Sequence, residues 1–337
     1  MNPLPTTQPT FTPSMLITWA LLASLPLWIE KVGLYQYLGV EIVIWATYAL
    51  AFNLVLGHGG LPSFGHGAFF GIGAYAFGLA QFSIAPNLWV CMGAALMAAA
   101  LAGALVALFI SHRRGIYFAL MTIAFGQVFW FIAMKAHAVT GGEDGLLKIA
   151  RLPVHLGVAA LPTESNVALY YTVLAVFVVV SLGLWRLVHS PFGRVVKAIK
   201  QNEERARFVG YDVWVVKFAT IVISAGLSGL AGGLFAMAQR SAFPDVMSLH
   251  YSGYVVMMVL VGGGLVSYWG PVVGVIAFLL ARDLIGAWTT GWMLWFGLLF
   301  VVLVMFRPDG IAGFVESLRR KAPQAPLAAP ASEAKGA

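Results

Sequence analysis

The stretch IVIWATYALAFNLVLGHGGLPSFGHGAFFGIGAYAFGLAQFSIAPNLWVCMGAALMAAALAGALVALFISH, residues 42–112, decides the fold, because its 71 residues include no Asp, Glu, Lys or Arg. Further charge-free runs cover residues 115–134, 165–185, 218–239 and 284–306. A helix needs roughly 20 apolar residues to cross a bilayer core of about 30 Å. Since lipid offers no partners to backbone N–H and C=O groups, the spans are expected to be helices. The pattern predicts an all-α polytopic membrane protein.

The composition of the whole chain of 337 residues supports this class. Hydrophobic residues make up 60% of the chain and charged residues 10%, whereas soluble domains carry about a quarter charged residues. The single cysteine, Cys91, excludes an intrachain disulfide framework. No Lys or Arg precedes Lys31, so the basic start of a signal peptide is missing and the first apolar run is expected to remain as a helix.

We predict about ten transmembrane helices in a permease domain that covers residues 15–306. Their approximate ranges are 15–29, 34–56, 64–84, 88–110, 116–134, 167–188, 218–238, 251–268, 271–285 and 288–306. Within residues 251–306, the glycines at 262–264 and the pair Gly270-Pro271 equally fit a broken or re-entrant helix. If the sixth span divides the domain, spans two to five and seven to ten form inverted repeats, as is common in transporters.

Ten spans place both termini on the same side of the membrane as most of the basic residues. The positive-inside rule makes that side cytoplasmic, and the longest loop of the opposite face covers residues 135–166. Residues 1–14 are then a cytoplasmic N-terminal segment. Residues 307–337, with Arg307 and the basic cluster at 319–321, are a cytoplasmic tail that we expect to be disordered after about residue 321, because it is rich in Ala and Pro.

The loop SPFGRVVKAIKQNEERARFVGYDVWVVK, residues 190–217, is basic. It carries Arg194, Lys197, Lys200, Arg205, Arg207 and Lys217, against Glu203, Glu204 and Asp212. On a helical wheel its apolar residues share one face and its first basic residues another, which predicts a short amphipathic helix parallel to the membrane. Such a helix binds anionic lipid or docks in a groove of a cytoplasmic partner. The interspersed acids favour docking, since a lipid anchor gains nothing from them.

Few groups within the spans suggest ion coupling or catalysis. Glu41 is either a coupling carboxylate or, as we favour, a residue that reaches the outer interface, and Arg282-Asp283 is placed at the outer rim. His58 and His66 have no carboxylate or Cys nearby to complete a metal site. An ion-driven secondary transporter would need further buried ligands, and a membrane enzyme would need clustered His or acids.

Small residues recur at GxxxG spacing in three places, residues 67–71, 229–233 and 270–274. This spacing lets helix backbones approach closely. Packing alone explains such motifs in most membrane bundles. We expect Gly67 and Gly71, one turn apart on the third span, to face a neighbouring helix beside the transport pathway.

In combination, several motifs resemble the LivM-type permease subunits of branched-chain amino acid ABC transporters, from about Leu34 to Phe314. The motifs are Asn53-Leu54 with Gly57, SFGHGAFFGIGAY at 63–75, RGIYFALMT at 114–122 with Ala124-Phe125-Gly126, Thr140-Gly141-Gly142 with Asp144-Gly145, SPFGR at 190–194 with Ala198-Ile199 and Asn202-Glu203, and GPVVG at 270–274. The chain departs from the family at Gly60-Leu61-Pro62-Ser63, where Gly-Gln-Leu-Ser is usual. The substrate therefore stays open among branched-chain or other neutral amino acids, urea and short amides.

The resemblance implies a multi-pass permease of the bacterial inner membrane. Its implied partners are a second, LivH-like permease, two cytoplasmic ABC ATPases, a periplasmic amino-acid-binding protein and membrane lipid, with no nucleic acid. The chain has no G-x-x-x-x-G-K-[ST] sequence, so ATP hydrolysis belongs to the partners. We predict no catalytic residue, metal or cofactor.

Two groups of residues are predicted to carry the function. The ATPase-coupling group is Gly193, Arg194, Lys197, Ala198, Ile199, Asn202, Glu203 and Gly210. The pathway or helix-packing group is Ser63, Gly65, His66, Gly67, Phe70, Gly71, Gly73, Tyr75, Gly270, Pro271 and Gly274.

Overall fold

The computed structural model describes residues 13–31, 33–156, 159–289, 291–306 and 310–313. Most of the predicted N-terminal segment and of the predicted tail, including Arg307 and the cluster at 319–321, lies outside the described residues.

The described part of the chain is built almost entirely from helices. They are α1 (Pro13–Trp28), α2 (Gln36–Asn53), α3 (His66–Ser83), α4 (Leu88–Ile110), α5 (Gly115–Lys135), α6 (His137–Thr140), α7 (Asn166–His189), α8 (Pro191–Gln201), α9 (Glu203–Phe208), α10 (Val213–Gln239), α11 (Leu249–Gly262), α12 (Gly270–Trp288) and α13 (Trp292–Phe306). A π-helical turn, Leu54–His58, continues α2, and 3₁₀ turns cover Gly142–Asp144 and Pro244–Met247. The predicted class, an all-α membrane protein, is confirmed.

Each of the ten predicted spans coincides with a helix, but not all of these helices have the length of a span. Six are long and apolar enough to cross a membrane, namely α2 with its π-helical turn, α4, α5, α7, α10 and α12. Helices α1, α11 and α13 are shorter, with 16, 14 and 15 residues, and α3 is rich in glycine. Helix α11 ends at Gly262, six residues before the predicted end of its span, because Gly263 adopts the left-handed conformation at φ 82°. The count of ten spans and the inverted repeats stay predictions.

The long loop between α5 and α7 contributes three strands to two small antiparallel sheets, which were not predicted. Strand β1 (Leu146–Leu147) pairs with β4 (Ser241–Ala242), which follows α10. Strands β2 (Val154–Leu156) and β3 (Ala159–Leu161) pair with each other. The pairing of β1 with β4 holds this loop against the end of α10, on the predicted non-cytoplasmic side of the membrane.

Helix α2 lies at the centre of the bundle and is buried along its whole apolar length. It packs against α7, α10 and α12, while α10 also packs against α3 and α4. Glycines allow the closest of these contacts: a Cβ at Gly73 of α3 would collide with the backbone of Gly229, and a Cβ at Gly232 with the carbonyl of Phe70. Small residues therefore set the distance between α3 and α10.

Candidate functional site

Helices α8 and α9 form a pair that packs beneath the bundle at its predicted cytoplasmic end. The Ser190 hydroxyl accepts a hydrogen bond from the Gly193 amide at 3.4 Å, and Pro191 occupies the first turn of α8. The Asn202 side chain accepts a bond from the Arg205 amide at 2.9 Å and so begins α9. Asn202 is thus both the last cap of α8 and the first cap of α9, which fixes the angle between the two helices.

Helix α8 is amphipathic, as predicted. Val196 and Ile199 are buried, and Ile199 shares a small hydrophobic cluster with Ala206 of α9 and Val213 of α10. Arg194 is exposed on the opposite side, and Lys197 is half-buried. Neither of these two side chains forms an ion pair within the described residues. The basic face of α8 is therefore available to a partner.

Lys200 differs from the other basic residues of α8, because its ammonium bonds to the end of α2 although the residue is exposed. Its Nζ donates a hydrogen bond to the carbonyl of Gly57 at 2.7 Å, within the π-helical turn that ends α2. Its methylene stem covers Gly60, where a Cβ would lie 2.7 Å from the lysine Cγ. Burial lowers the pKa of Lys200. The helical wheel places Lys200 on the basic face of α8, and in the structure this residue also links α8 to α2.

Glu203 of α9 forms two ion pairs within the chain. One Glu203 oxygen lies 2.6 Å from the Lys217 ammonium and the other 2.8 Å from the Arg207 guanidinium. Lys217 was predicted in an aqueous loop, but it lies in the first turns of α10 with 3% of its surface exposed. It also donates to the carbonyl of Arg113 at 3.3 Å. A buried pair with satisfied hydrogen bonds fixes α9 against α10 and the α4–α5 turn.

The two glycines of this region shape its corners. A Cβ at Gly193 would collide with the Val188 carbonyl, so the sharp turn from α7 into α8 needs glycine there. Gly210 follows α9 with φ 97°, a conformation that favours glycine. Ala198 and Asn202 lie on the exposed side of the pair. The eight predicted coupling residues thus come together in one substructure.

His66 is the centre of a buried hydrogen-bond chain. Its Nδ1 lies 2.7 Å from the Ser63 hydroxyl and its Nε2 2.9 Å from the Ser224 hydroxyl, which donates to the carbonyl of Ala51 at 2.7 Å. Because Ser224 uses its proton on that carbonyl, its oxygen accepts from Nε2–H, and Nδ1 accepts from Ser63. The chain joins the starting turn of α3 to α10 and α2. Among the described residues no group of three or more His, Cys, Asp or Glu is placed to hold a metal ion.

The predicted glycines of the packing group lie at close contacts. A Cβ at Gly65 would collide with the Thr122 carbonyl, and one at Gly274 with the Met258 carbonyl. The Gly67 amide donates to the Ser252 hydroxyl at 2.8 Å, and Gly270 lies against the backbone of Gly263 beside Pro271, which is buried in the first turn of α12. These contacts join α3 to α5 and α11, and α11 to α12.

Gly71 does not face a helix, contrary to the expectation from GxxxG spacing. The side chain of Met247, in the 3₁₀ turn Pro244–Met247, fills the space beside it. Gly73 does face a helix, α10, and it lies two residues further along and therefore on a different side of α3.

Aromatic rings from four helices form a cluster in the middle of the bundle. Trp45 stacks on Tyr251 and on Phe70, with ring centroids 5.7 and 5.8 Å apart, and Phe70 lies 4.6 Å from Tyr48 and 5.4 Å from Phe235. We call Trp45, Tyr48, Phe70, Phe235, Tyr251 and Tyr254 the aromatic cluster. Phe70 is the one member of this cluster that was predicted from the sequence. Tyr75, also predicted, is buried further along α3. The i, i+3 spacing of Trp45 with Tyr48 and of Tyr251 with Tyr254 was the signal that could have revealed the rest.

An ion pair joins α2 to α12 near the predicted outer face. The Arg282 guanidinium contacts both oxygens of Glu41, at 2.7 and 2.9 Å, and its Nε contacts Asp283 at 2.9 Å. The hydroxyl of Tyr35 donates to the other Asp283 oxygen at 2.9 Å. Glu41 is therefore buried in a bidentate pair and does not reach the interface alone. The pair was not predicted, although both partners lie at similar depth in spans two and nine.

The chain is similar to known permeases over most of its length. The family described as branched-chain amino acid transport system / permease component matches residues 35–307. The high-affinity branched-chain amino acid transport system permease proteins LivM of Escherichia coli and Salmonella typhimurium are 28% and 27% identical over 288 residues, which cover 80% of this chain and 68% of each relative. A probable branched-chain amino acid transport permease protein LivM of Methanocaldococcus jannaschii is 22% identical over 311 residues, covering 78% of this chain and 88% of the relative. No solved structure matches the chain.

Proposed function

Because the chain belongs to the branched-chain amino acid transport permease family, we propose that it is the membrane-spanning permease subunit of an ATP-binding cassette importer. Its substrates are branched-chain or other neutral amino acids, as the names of its relatives support. The energy comes from separate ATPase subunits, and the family is one of transport proteins and not of enzymes.

The α8–α9 pair is the observation that carries this proposal. The pair is held to the bundle from within by the Lys200–Gly57 hydrogen bond and the Glu203–Lys217 ion pair. Its outward face keeps Arg194 and Lys197 without ion-pair partners in the described structure. A rigidly attached amphipathic helix with a free basic face is suited to dock in a groove of a cytoplasmic partner and to pass on that partner's motion.

Helix α2 is the element through which that motion reaches the pathway. Lys200 contacts the π-helical turn at one end of α2, and the aromatic cluster and Glu41 lie further along the same helix. When the ATPases close on ATP, a displacement of α8 is transmitted to α2 and from there to the middle of the membrane. The predicted pathway residues from Ser63 to Tyr75 lie on α3 and the turn before it.

The proposed assembly and topology follow from the family and from the charge pattern. The partners are a second, LivH-like permease, two ABC ATPases and a periplasmic amino-acid-binding protein. The chain lies in the bacterial inner membrane with ten spans, both termini in the cytoplasm, residues 135–166 outside and residues 190–217 inside. Helices α2–α5 and α10–α13 are the proposed inverted repeats.

The Glu41–Arg282 pair argues against an ion-driven transporter. Glu41 is the buried acid that a proton or sodium ion would use, but both of its oxygens are engaged by Arg282. Coupling through this carboxylate would require the guanidinium to leave. ATP hydrolysis by partner subunits needs no such step.

The test reverses the free basic face of α8. In proteoliposomes that contain the whole complex, the double variant Arg194→Glu with Lys197→Glu should lose ATP-dependent leucine uptake by more than about tenfold, because two attractions become repulsions. The permease should still be present in the membrane at normal amounts. The matched control is Lys31→Glu with Lys135→Glu, which reverses two exposed basic residues at the opposite end of the bundle. Normal uptake and normal ATPase binding in the α8 variant would show that this face does not dock the ATPases.

A further inference from the structure

A cavity of about 520 Å³ opens at the predicted outer end of the bundle, and none of the site residues predicted from the sequence lines it. Its walls come from the end of α5, the 3₁₀ turn Gly142–Asp144, the end of α10 with β4, and the start of α11. A volume of this size lies within the usual range for small-molecule sites.

The floor of the cavity is the aromatic cluster. Phe235 and Tyr251 line the cavity and also contact Phe70 and Trp45 in the middle of the bundle. Trp45 Nε1 and the Tyr48 hydroxyl lie buried within that cluster and have no hydrogen-bond partner among the described residues. Buried donors without partners are costly and therefore rare in folded proteins. The cavity thus ends at the rings of Phe235 and Tyr251. Behind these rings, Trp45 Nε1 and the Tyr48 hydroxyl are free to donate hydrogen bonds to a substrate that moves through the cluster.

The rim of the cavity is acidic. Glu143 and Asp245 are exposed there, and neither forms an ion pair in the described part of the chain. Among the residues that the structure describes, no Lys, Arg or His lines the cavity. Two unpaired carboxylates beside the rings of Trp130 and Phe243 attract a cationic group, both by charge and by contact with the ring faces.

The remaining lining groups suit the other parts of an amino acid. Met134, Val246 and Phe235 give an apolar surface for an aliphatic side chain. The Gln239 amide can donate hydrogen bonds to a carboxylate. The Ser241 hydroxyl donates to the Gln239 carbonyl at 3.3 Å in this structure, and it can rotate to donate to the carboxylate instead. An ammonium, a carboxylate and an aliphatic side chain thus each find a matching part of the wall.

We propose that this cavity is the acceptor site in which a zwitterionic amino acid with an aliphatic side chain first binds the permease, with Asp245 and Glu143 holding its ammonium group. The inference rests on the proposed function. The amino acid then passes the aromatic cluster, whose rings close the floor in this structure.

The test measures uptake of radiolabelled leucine by proteoliposomes that contain the whole complex, ATP inside and the binding protein outside. Asp245→Asn should lower uptake at subsaturating substrate about tenfold, since a charge-assisted hydrogen bond is lost. Gln239→Trp should block uptake by filling the cavity. The matched controls are Asp144→Asn, an exposed acid next to Glu143, and Leu249→Trp, an exposed position of α11 outside the cavity. ATP hydrolysis stimulated by the binding protein reports whether each complex is intact.

The outcomes separate the site from the proposed function. Reduced uptake in Asp245→Asn and Gln239→Trp, with normal controls and intact ATP hydrolysis, supports the site. If the wild-type complex imports leucine and these two variants import it equally well, the site is overturned and the function stands. If the wild-type complex shows no ATP-dependent uptake of any neutral amino acid, the proposed function fails and the site with it. Should Asp245→Asn not assemble, Glu143→Gln replaces it in the same comparison.

Discussion

Lys200 joins the docking helices to the centre of the bundle, and its single hydrogen bond to Gly57 can be removed by one substitution. Lys200→Met keeps most of the stem over Gly60 but deletes the ammonium. We expect the docking of α8 on α2 to weaken by about 1 kcal/mol, because the lysine is partly exposed. ATP hydrolysis should continue while leucine uptake per ATP falls severalfold.

The control for Lys200 is Arg205→Met, which removes an exposed basic side chain of α9. It should leave the ratio of uptake to hydrolysis unchanged. Equal ratios in both variants and in the wild type would contradict a role of the Lys200 bond in transmission.

The contribution of the Glu41–Arg282 ion pair to the stability of the protein can also be tested by one substitution. Glu41→Gln leaves the Arg282 guanidinium with Asp283 alone, and breaking a buried pair from one side costs about 3 kcal/mol. The melting temperature of the purified protein should therefore fall clearly, while Glu30→Gln, an exposed acid at the same end, should leave it unchanged.

The same Glu41→Gln variant bears on energy coupling. The remaining uptake should still depend on ATP and should be insensitive to protonophores when ATP is held constant. Complete loss of uptake in a variant that assembles normally would favour an ion-coupled mechanism instead.

The amphipathic character of α8 could be predicted from the sequence, whereas the contacts of its individual lysines could not. The charge pattern identified α8 correctly as amphipathic, because the alternation of Val196 and Ile199 with Arg194 and Lys197 depends on local spacing alone. It could not reveal that Lys200 bonds to the end of α2 or that Lys217 is buried against Glu203, since these partners lie 143 and 14 residues away in the sequence. Contacts between distant residues leave no local pattern.

At the scale of elements, the crossing of α3 and α10 depends on glycines that face backbone. A Cβ at Gly73 would meet backbone atoms of Gly229, which cannot move without moving α10, whereas a Cβ at Gly71 would meet the Cγ of Met247, a side-chain atom that can shift without moving a helix. Gly73→Ala should therefore lower the yield of assembled complex far more than Gly71→Ala. Overpacking of this kind costs about 1 to 3 kcal/mol.

Gly93→Ala on α4 is the matched control for these glycines, because no atom lies within 4 Å of the added Cβ. Alanine is the better helix former by about 1 kcal/mol, so the yield should stay level or rise. Equal yields for Gly73→Ala and Gly93→Ala would mean that α3 and α10 do not need this close approach.

The presence of helices could be predicted more reliably than the residues at which they end or the segments that they contact. Continuous apolar runs revealed all ten predicted spans as helices, since hydropathy is a property of the local sequence. The early end of α11 follows from the left-handed conformation of Gly263, and three consecutive glycines did not indicate which of them would adopt it. The pairing of β1 with β4 joins segments nearly 100 residues apart and involves two residues in each strand, too few for an alternating pattern to be recognised.

At the scale of the whole molecule, α2 connects the two ends of the protein. Lys200 of α8 contacts its last, π-helical turn, the aromatic cluster surrounds its middle, and Arg282 holds Glu41 near its beginning. A helix buried along its length transmits displacement at one end to the other, because its side chains are packed on all sides. The proposed docking surface and the proposed acceptor site thus lie at opposite ends of one continuous set of contacts.

The proposed topology can be tested by counting crossings. Replacing the buried Cys91 by Ala gives a background without cysteine, in which single cysteines replace Lys31, Arg113, Arg194 and Trp288. With ten spans, a membrane-impermeant maleimide should label positions 31 and 288 from outside, and positions 113 and 194 only in inverted membranes.

This labelling decides whether the short helices α3 and α11 cross the membrane. Three helices, α2 to α4, separate Lys31 from Arg113, and three predicted spans, α10 to α12, follow α9 between Arg194 and Trp288. If α3 did not cross, only two crossings would remain and positions 31 and 113 would be labelled from the same side. The pair 194 and 288 tests α11 in the same way. Labelling of position 194 from outside would exclude docking of α8 on cytoplasmic ATPases, because the basic face would then lie across the membrane from them.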